Sequence, residues 1–350
     1  MLDKINEQNV WDVLKDSGKP VILYGMGLGA EKIMDTLAQY GITVDGIFAS
    51  DEFVRGHSFR GYKVMKYREV CEKYDDFNVV LCFASRLDSV IAHIEEINRQ
   101  HTVFAPDVPV AGGGLFSREF IAENEEKFDA VYHRLADEES RRVYLDILHF
   151  KVSGKIEYLL RSFCDKPAIY RDILQLTDSE TILDLGAYDG DTVREFMEAT
   201  GGRYAYITAL EPDEKNFAKL LKNTAELDNI ACLNMGAWSH KDTLIFSRKA
   251  GRNSRLSGEG VSVPVIDVDS LQIAATFIKM DIEGSELKAL EGAAQTIKTY
   301  RPKLYVCAYH RNEDLFSLPL KIWEYHHDYK IFFRHSQYIP AWESNFYCVP

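Results

Sequence analysis

The chain of 350 residues contains no CxxC pair, although it carries six cysteines. Cys71, Cys82, Cys164, Cys232, Cys307 and Cys348 are scattered, which argues against a zinc site and against a redox dithiol. Cys82 and Cys307 fall inside apolar strand patterns and read as core residues, and the cytoplasm is the expected compartment. No apolar run approaches the roughly 20 residues that span a bilayer, so no membrane partner is expected. The opening MLDKINEQNVWDVLKD is polar and helix-patterned, unlike a signal peptide. Positive charge is also in short supply: 41 Lys and Arg stand against 54 Asp and Glu, a net charge of −13. A surface of that sign repels phosphate backbones, so nucleic acid is not an expected partner either. No short internal repeat is present.

What is present is an ordinary globular composition, 46% hydrophobic and 27% charged, long enough for two cores. Residues 1–110 read as a smaller Rossmann-like domain. VILYGMGLGA is a strand, a glycine turn and a helix start; TVDGIFAS and NVVLCFAS are further strands. GHSFRGYKV reads as a short excursion ending near Val64, and helical segments separate the strands. That alternation predicts a doubly wound parallel sheet. AGGG, Ala111 to Gly114, marks a break. Residues 111–170 are charged and helix-patterned and read as a connector, in preference to a lid. Glu119 suits the first turn of a helix that starts after Ser117.

Residues 171–350 form the second α/β unit. Its strand signals are TILDLGA, YAYITALEP, IACLNMGAW, ATFIKMDIEG, KLYVCAYH, KIFFRHS and NFYCVP. Seven strands, the last two close together, fit the sheet of class I methyltransferases. Between Thr243 and Val268 a hairpin-like insertion carries a polar loop with Arg252, Asn253, Ser254 and Arg255, residue types that recognise carboxylate or phosphate.

The most telling stretch is TILDLGAYDGDT, Thr181 to Thr192. Asp184 lies near the tip of an apolar strand. A turn with Gly186, Asp189 and Gly190 then enters a helix. The turn lacks the Gly-Lys-Ser/Thr ending of a triphosphate loop. A ligand lying across it finds free backbone N–H groups and a strand-end carboxylate. Asp184 is expected to meet the cationic amino group of a methionine moiety, directly or through water. Glu211 ends the next strand, where a carboxylate accepts both hydroxyls of a ribose diol. Gly236 and Ala237 end the third strand and leave room for an adenine ring. Asp281 ends the fourth, beside Lys279, Glu283 and Glu286, and His310 ends the fifth. A carboxylate and an imidazole at one sheet edge suit proton transfer from a hydroxyl. Both are also metal-ligating types, but the sequence assigns no metal site.

The stretches LDLGAYDGDT, ALEPDEKNFAKLLKN, LNMGAWSHKDTLIFS, VPVIDVDSL, IKMDIEGSELKALEGA and RPKLYVCAYH resemble the FkbM family of S-adenosylmethionine-dependent methyltransferases. Together they cover most of Thr181 to His310, and Asp281, Glu283, Gly284 and Glu286 form the most specific part. The resemblance implies O-methyl transfer to a hydroxyl of a sugar, a polysaccharide precursor or a natural product. It also implies cofactor roles for Asp184, Gly186 and Glu211. Tyr188 stands where many family members carry Asn. The first unit, with Gly25, Gly27, Ala30 and Asp51, looks like the small domains that bind nucleotide-sugars. Two other readings stay open: an NAD(P)-dependent oxidoreductase centred on Gly25, Gly27 and Asp51, and a nucleotide-sugar-binding protein whose second unit no longer catalyses.

Overall fold

A computed structural model describes residues 1–54, 56, 58–246 and 261–350. Arg252, Asn253, Ser254 and Arg255 lie outside the described residues. The strands are β1 Val21–Tyr24, β2 Gly46–Ala49, β3 Ser58–Phe59, β4 Tyr62–Lys66, β5 Asn78–Leu81 and β6 Val103–Phe104 in the first sheet. The order is β3-β4-β2-β1-β5-β6, all parallel except β3, which runs antiparallel to β4. The strands β1, β2 and β5 are buried along their whole length, as expected of a parallel sheet covered on both faces. The stretch GHSFRGYKV is more than an excursion. Its second half becomes β4, paired in parallel with β2 through Ile47 and Val64.

The second sheet contains β7 Phe163–Cys164, β8 Thr181–Leu185, β9 Tyr206–Leu210, β10 Ile230–Leu233, β14 Phe277–Met280, β15 Lys303–Cys307, β16 Lys330–Ser336 and β17 Ser344–Val349. Its order is β10-β9-β8-β14-β15-β17-β16-β7. The strand β17 inserts antiparallel between β15 and β16. The expected seven strands are therefore eight, because the end of the connector adds β7 beside β16 at the edge. The order reverses at β8, which has β9 on one side and β14 on the other. In open α/β sheets the crevice beyond such a reversal takes ligands.

IACLNMGAW, read as one strand, divides in two. β10 stays in the large sheet, while β11 Gly236–Ala237 joins β12 Asp242–Phe246 and β13 Val261–Ile266 in a separate sheet of three. Asn234 makes the break. Its side-chain amide donates to the carbonyls of Glu211 at 2.8 Å and Pro212 at 3.2 Å, which turns the chain between the two sheets.

The connector is part of the core. Ser117 caps the helix Arg118–Glu123 by accepting from the Phe120 N–H. The helix Glu138–Ser153 buries ten of its sixteen residues. Ser140 accepts from the Phe333 N–H of β16 at 3.0 Å, and Arg334 reaches back to Asp137 at 2.6 Å. One apolar cluster runs from Ile22 and Tyr24 through Phe116, Phe128 and Tyr144 to Leu183 and Ile278. This long helix therefore packs into the hydrophobic interior.

Candidate active site

A cavity of about 830 Å³ opens at the reversal of the second sheet, within the roughly 300–1,000 Å³ typical of ligand sites. Gly186, Tyr188, Glu211, Gly236, Ala237, Asp281 and His310 all line it.

The glycine turn after β8 is fixed from below. Gly186 has φ +83°, and a Cβ there would sit 1.9 Å from the Asp281 carbonyl oxygen, so no other residue fits. Asp184 is fully buried beneath the turn. Register places Lys279 of β14 directly beside it. The Lys279 ammonium lies 3.2 Å from Asp184 and donates to the Gly186 carbonyl at 2.7 Å. Burial works against that charge, but Asp184 and Asp281 overcome it and hold Lys279 well above its ordinary value. Thr192 donates to the other Asp184 oxygen. Asp184 therefore holds the turn in place and does not line the cavity. Lys279 and Thr192 are its partners in this structure.

Asp189 and Gly190 also fall outside the cavity wall. The Asp189 carbonyl accepts from Asn223 at 2.7 Å, and Gly190 packs against Leu220. Both meet the helix Glu214–Asn223, and the helix Asp191–Ala199 that follows the turn places Asp191 and Thr192 on the cavity wall.

Glu211 is 6% exposed at the end of β9. One carboxyl oxygen accepts from the Tyr188 N–H and the other from the Asp213 N–H, both at 2.9 Å. Burial pushes the carboxyl up to about 7, against the pull of those two amides. An ionised carboxylate offers about four acceptor positions, so two remain for a diol. Gly236 and Ala237 are buried on β11, with Gly236 against Val265 and Pro212. The glycine turn, the Glu211 carboxylate and this small-residue wall fit the ribose and ring of an adenosyl group.

Beside the turn, at the end of β14, Asp281 Oδ1 accepts from the Tyr309 hydroxyl at 3.0 Å and lies 3.5 Å from His310 Nε2. Burial alone would raise the Asp281 carboxyl; Lys279, His310 and Tyr309 together hold it below the usual range. His310 is 1% exposed, with Nδ1 2.9 Å from Glu286 and Nε2 3.8 Å from Glu283. Burial opposes its charge, yet Glu286, Asp281 and Glu283 raise the imidazole to about 10.

Several lining residues carried no sequence signal. Arg86 arrives from the loop after β5, and Tyr338, Trp342 and Glu343 arrive from the β16–β17 connection. That connection is stitched to the first unit: Ser85 and Ile339 form a bridge, and Gln337 donates to the Arg86 carbonyl at 3.3 Å. Lys166, at the end of the connector, lies 3.0 Å from Glu195 and 3.6 Å from Glu343 on the cavity wall. In the first unit, a Cβ on Gly25 would meet the Phe83 ring at 2.6 Å, and Asp51 is paired with Lys66 at 3.3 Å.

Residues 184–339 match the family model described as methyltransferase FkbM domain. No curated protein matches the chain. Among solved structures, the chain is similar to methyltransferase FkbM from Methylobacillus flagellatus KT. The two are 24% identical, with 99% of this chain and 94% of that one covered and a TM-score of 0.75, a likeness of fold. A fibrillarin/Nop5p complex matches at 21% identity, over 53% of this chain and 85% of that chain, with a TM-score of 0.33. Aeropyrum pernix fibrillarin with natively bound S-adenosyl-L-methionine matches at 11% identity, over 52% and 73%, with a TM-score of 0.34.

Proposed function

We propose that this chain, an S-adenosylmethionine-dependent methyltransferase by the domain it carries over residues 184–339, methylates a hydroxyl of a sugar, a polysaccharide precursor or a natural product. The observation behind this reading is that Asp281 and His310 line the same cavity as Gly186 and Glu211, with Asp281 directly beside the glycine turn. The bound cofactor supplies an electrophilic methyl group. Glu211 holds the ribose diol, Gly186 lets the ligand lie against the turn, and Gly236 and Ala237 bound the ring.

The chain's own contribution is placement and proton handling. Aligning two bound reactants contributes about 7–11 kcal/mol in favourable cases. Asp281 is the group that accepts the hydroxyl proton. His310, charged at neutral pH, orients Asp281 and neutralises the carboxylates around it, so it acts as a positioning residue and not as the base. Tyr305, Tyr309, Tyr338 and Trp342 give the acceptor side flat apolar faces with polar tips. Those faces suit a ring that carries hydroxyls.

The test is transfer of isotopically labelled methyl from S-adenosylmethionine to a panel of free sugars, nucleotide-sugars and polyhydroxylated natural products. The expected product is a stable methyl ether. The variant Asp281→Asn should lose about 10²–10⁴-fold in turnover, with cofactor affinity by calorimetry little changed. Label found on nitrogen or carbon of the preferred acceptor would overturn the reading.

A further inference from the structure

Asp281, Glu286 and His310 each bring a donor atom to within 4.8 Å of the others. They come from three places. Asp281 follows β14, Glu286 opens the helix Glu286–Gly292, and His310 follows β15. The turn between Asp281 and Glu286 is tight, with Glu283 at φ +56° and Gly284 at φ +91°. Arg311 locks it by donating to the Gly284 carbonyl at 2.6 Å. The His310 carbonyl is held by the Ala111 N–H at 2.8 Å. The cluster is thus built on fixed backbone and opens to the cavity through Asp281, Glu283 and His310.

A buried Glu–His ion pair accounts for only part of it. Glu286 is fully buried, and its Oε1 accepts from the Ile282 N–H at 2.9 Å. Its Oε2 is buried with no hydrogen bond, while His310 Nδ1 faces Oε1 at 2.9 Å. A buried carboxylate oxygen without a hydrogen bond can still accept a further donor or a cation. Three carboxylates, those of Asp281, Glu283 and Glu286, surround a single imidazole. The protonated imidazole offsets one of these charges, and a divalent cation that takes the place of its proton would offset two.

We propose that Asp281, Glu286 and His310 bind a divalent first-row cation at the cavity wall, with the Glu283 carboxylate at its rim. Two carboxylates and one imidazole suit Mn²⁺ and its neighbours better than Ca²⁺ or Mg²⁺, which prefer all-oxygen sets. A cation held there would adjoin the cavity through Asp281 and His310. There the cation would hold an acceptor oxygen beside Asp281, a role that rests on the hydroxyl-methylation reading. The binding site itself does not depend on that reading.

The experiment uses the full chain, stripped with a chelator, and titrates it with Mn²⁺ in the absence of S-adenosylmethionine. Free Mn²⁺ is followed by its electron paramagnetic resonance signal. One Mn²⁺ per chain is expected. Glu286→Gln and Asp281→Asn should each weaken binding at least about 10-fold, while Glu226→Gln, remote from the site, should not. Circular dichroism and the melting temperature establish that each variant is folded. Asp281→Asn alters a residue open to the cavity and keeps the test available if the buried variant does not fold. Absence of binding at millimolar Mn²⁺, or equal binding by wild type and both folded variants, overturns the site. Calorimetry with S-adenosylmethionine, run separately, distinguishes failure of the metal site from failure of the methyltransferase reading.

Discussion

The two parallel sheets begin alike and finish differently. In each, a buried strand runs into a glycine with positive φ, Gly25 after β1 and Gly186 after β8. Two residues before the glycine, the first sheet has Leu23 and the second has Asp184, both fully buried. A side chain, the Phe83 ring, crowds Gly25; a backbone carbonyl, that of Asp281, crowds Gly186. At the end of the neighbouring strand, Asp51 of the first sheet is largely exposed and paired with Lys66, whereas Glu211 is buried at a cavity. A glycine turn is local grammar, and what the adjacent strand presents decides whether the turn becomes a site. Beside β1 that strand brings an aromatic cap, and beside β8 it brings Lys279 and Asp281.

The comparison breaks most sharply at Lys279. Lys279→Met strands Asp184 as an unpaired buried carboxylate and should cost about 3–5 kcal/mol in denaturant unfolding. The double variant Asp184→Leu with Lys279→Met, which copies the Leu23 arrangement, should recover most of that stability while weakening cofactor binding. If the single variant unfolds like wild type, the pair does not hold the turn.

The two glycines come next. Gly186→Ala forces a Cβ into backbone that cannot retreat and should lose about 3 kcal/mol or more, by strain and overpacking together. Gly25→Ala meets the edge of a ring that can swing away and should lose about 1–2 kcal/mol. Equal midpoints for the two variants would erase the distinction.

For Glu211→Ala the expected loss is in cofactor affinity, about 1.5–3 kcal/mol for one charge-assisted hydrogen bond and more for two. Asp51→Ala should leave that affinity unchanged. Calorimetric titration with S-adenosylmethionine reads both. An effect at Asp51 as large as that at Glu211 would move the cofactor to the first sheet.

Which of these contrasts the sequence displays follows from distance along the chain. The turn after TILDL and the acid after YITAL are local, so periodicity and strand-end position reveal them. The meeting of Asp281 with His310 follows from both being at carboxyl ends of strands that sit side by side. The Asp184–Lys279 pair depends on the register of two strands 95 residues apart, which no local pattern encodes. Hence the sequence shows a strand-tip carboxylate at Asp184 but not that Lys279 and Thr192 partner it. The break at Asn234 is hidden for a similar reason, since its amide binds carbonyls of another strand's end. Arg86 and Trp342 reach the cavity because the first unit and the β16–β17 connection are stitched together, a tertiary fact without a motif.

The finest contrast is in pH. Asp51 is exposed, whereas the Glu211 carboxyl is buried and pushed by that burial up to about 7. Ribose hydroxyls donate best to the ionised form, so affinity scales with the ionised fraction. That fraction rises about 10-fold from pH 6 to pH 8, and S-adenosylmethionine should bind about 10-fold more tightly across that range, then level off. Stability of the free protein should run the other way. The folded value lies above the ordinary 4.5, so the folded state retains the proton longer, and this carboxyl's contribution declines from about pH 4.5 to about pH 7. Glu211→Gln should bind more weakly and remove the slope in both measurements. If the variant keeps the wild-type affinity slope, the titrating group lies elsewhere, and the contrast between a buried and an exposed strand-end acid loses its functional meaning.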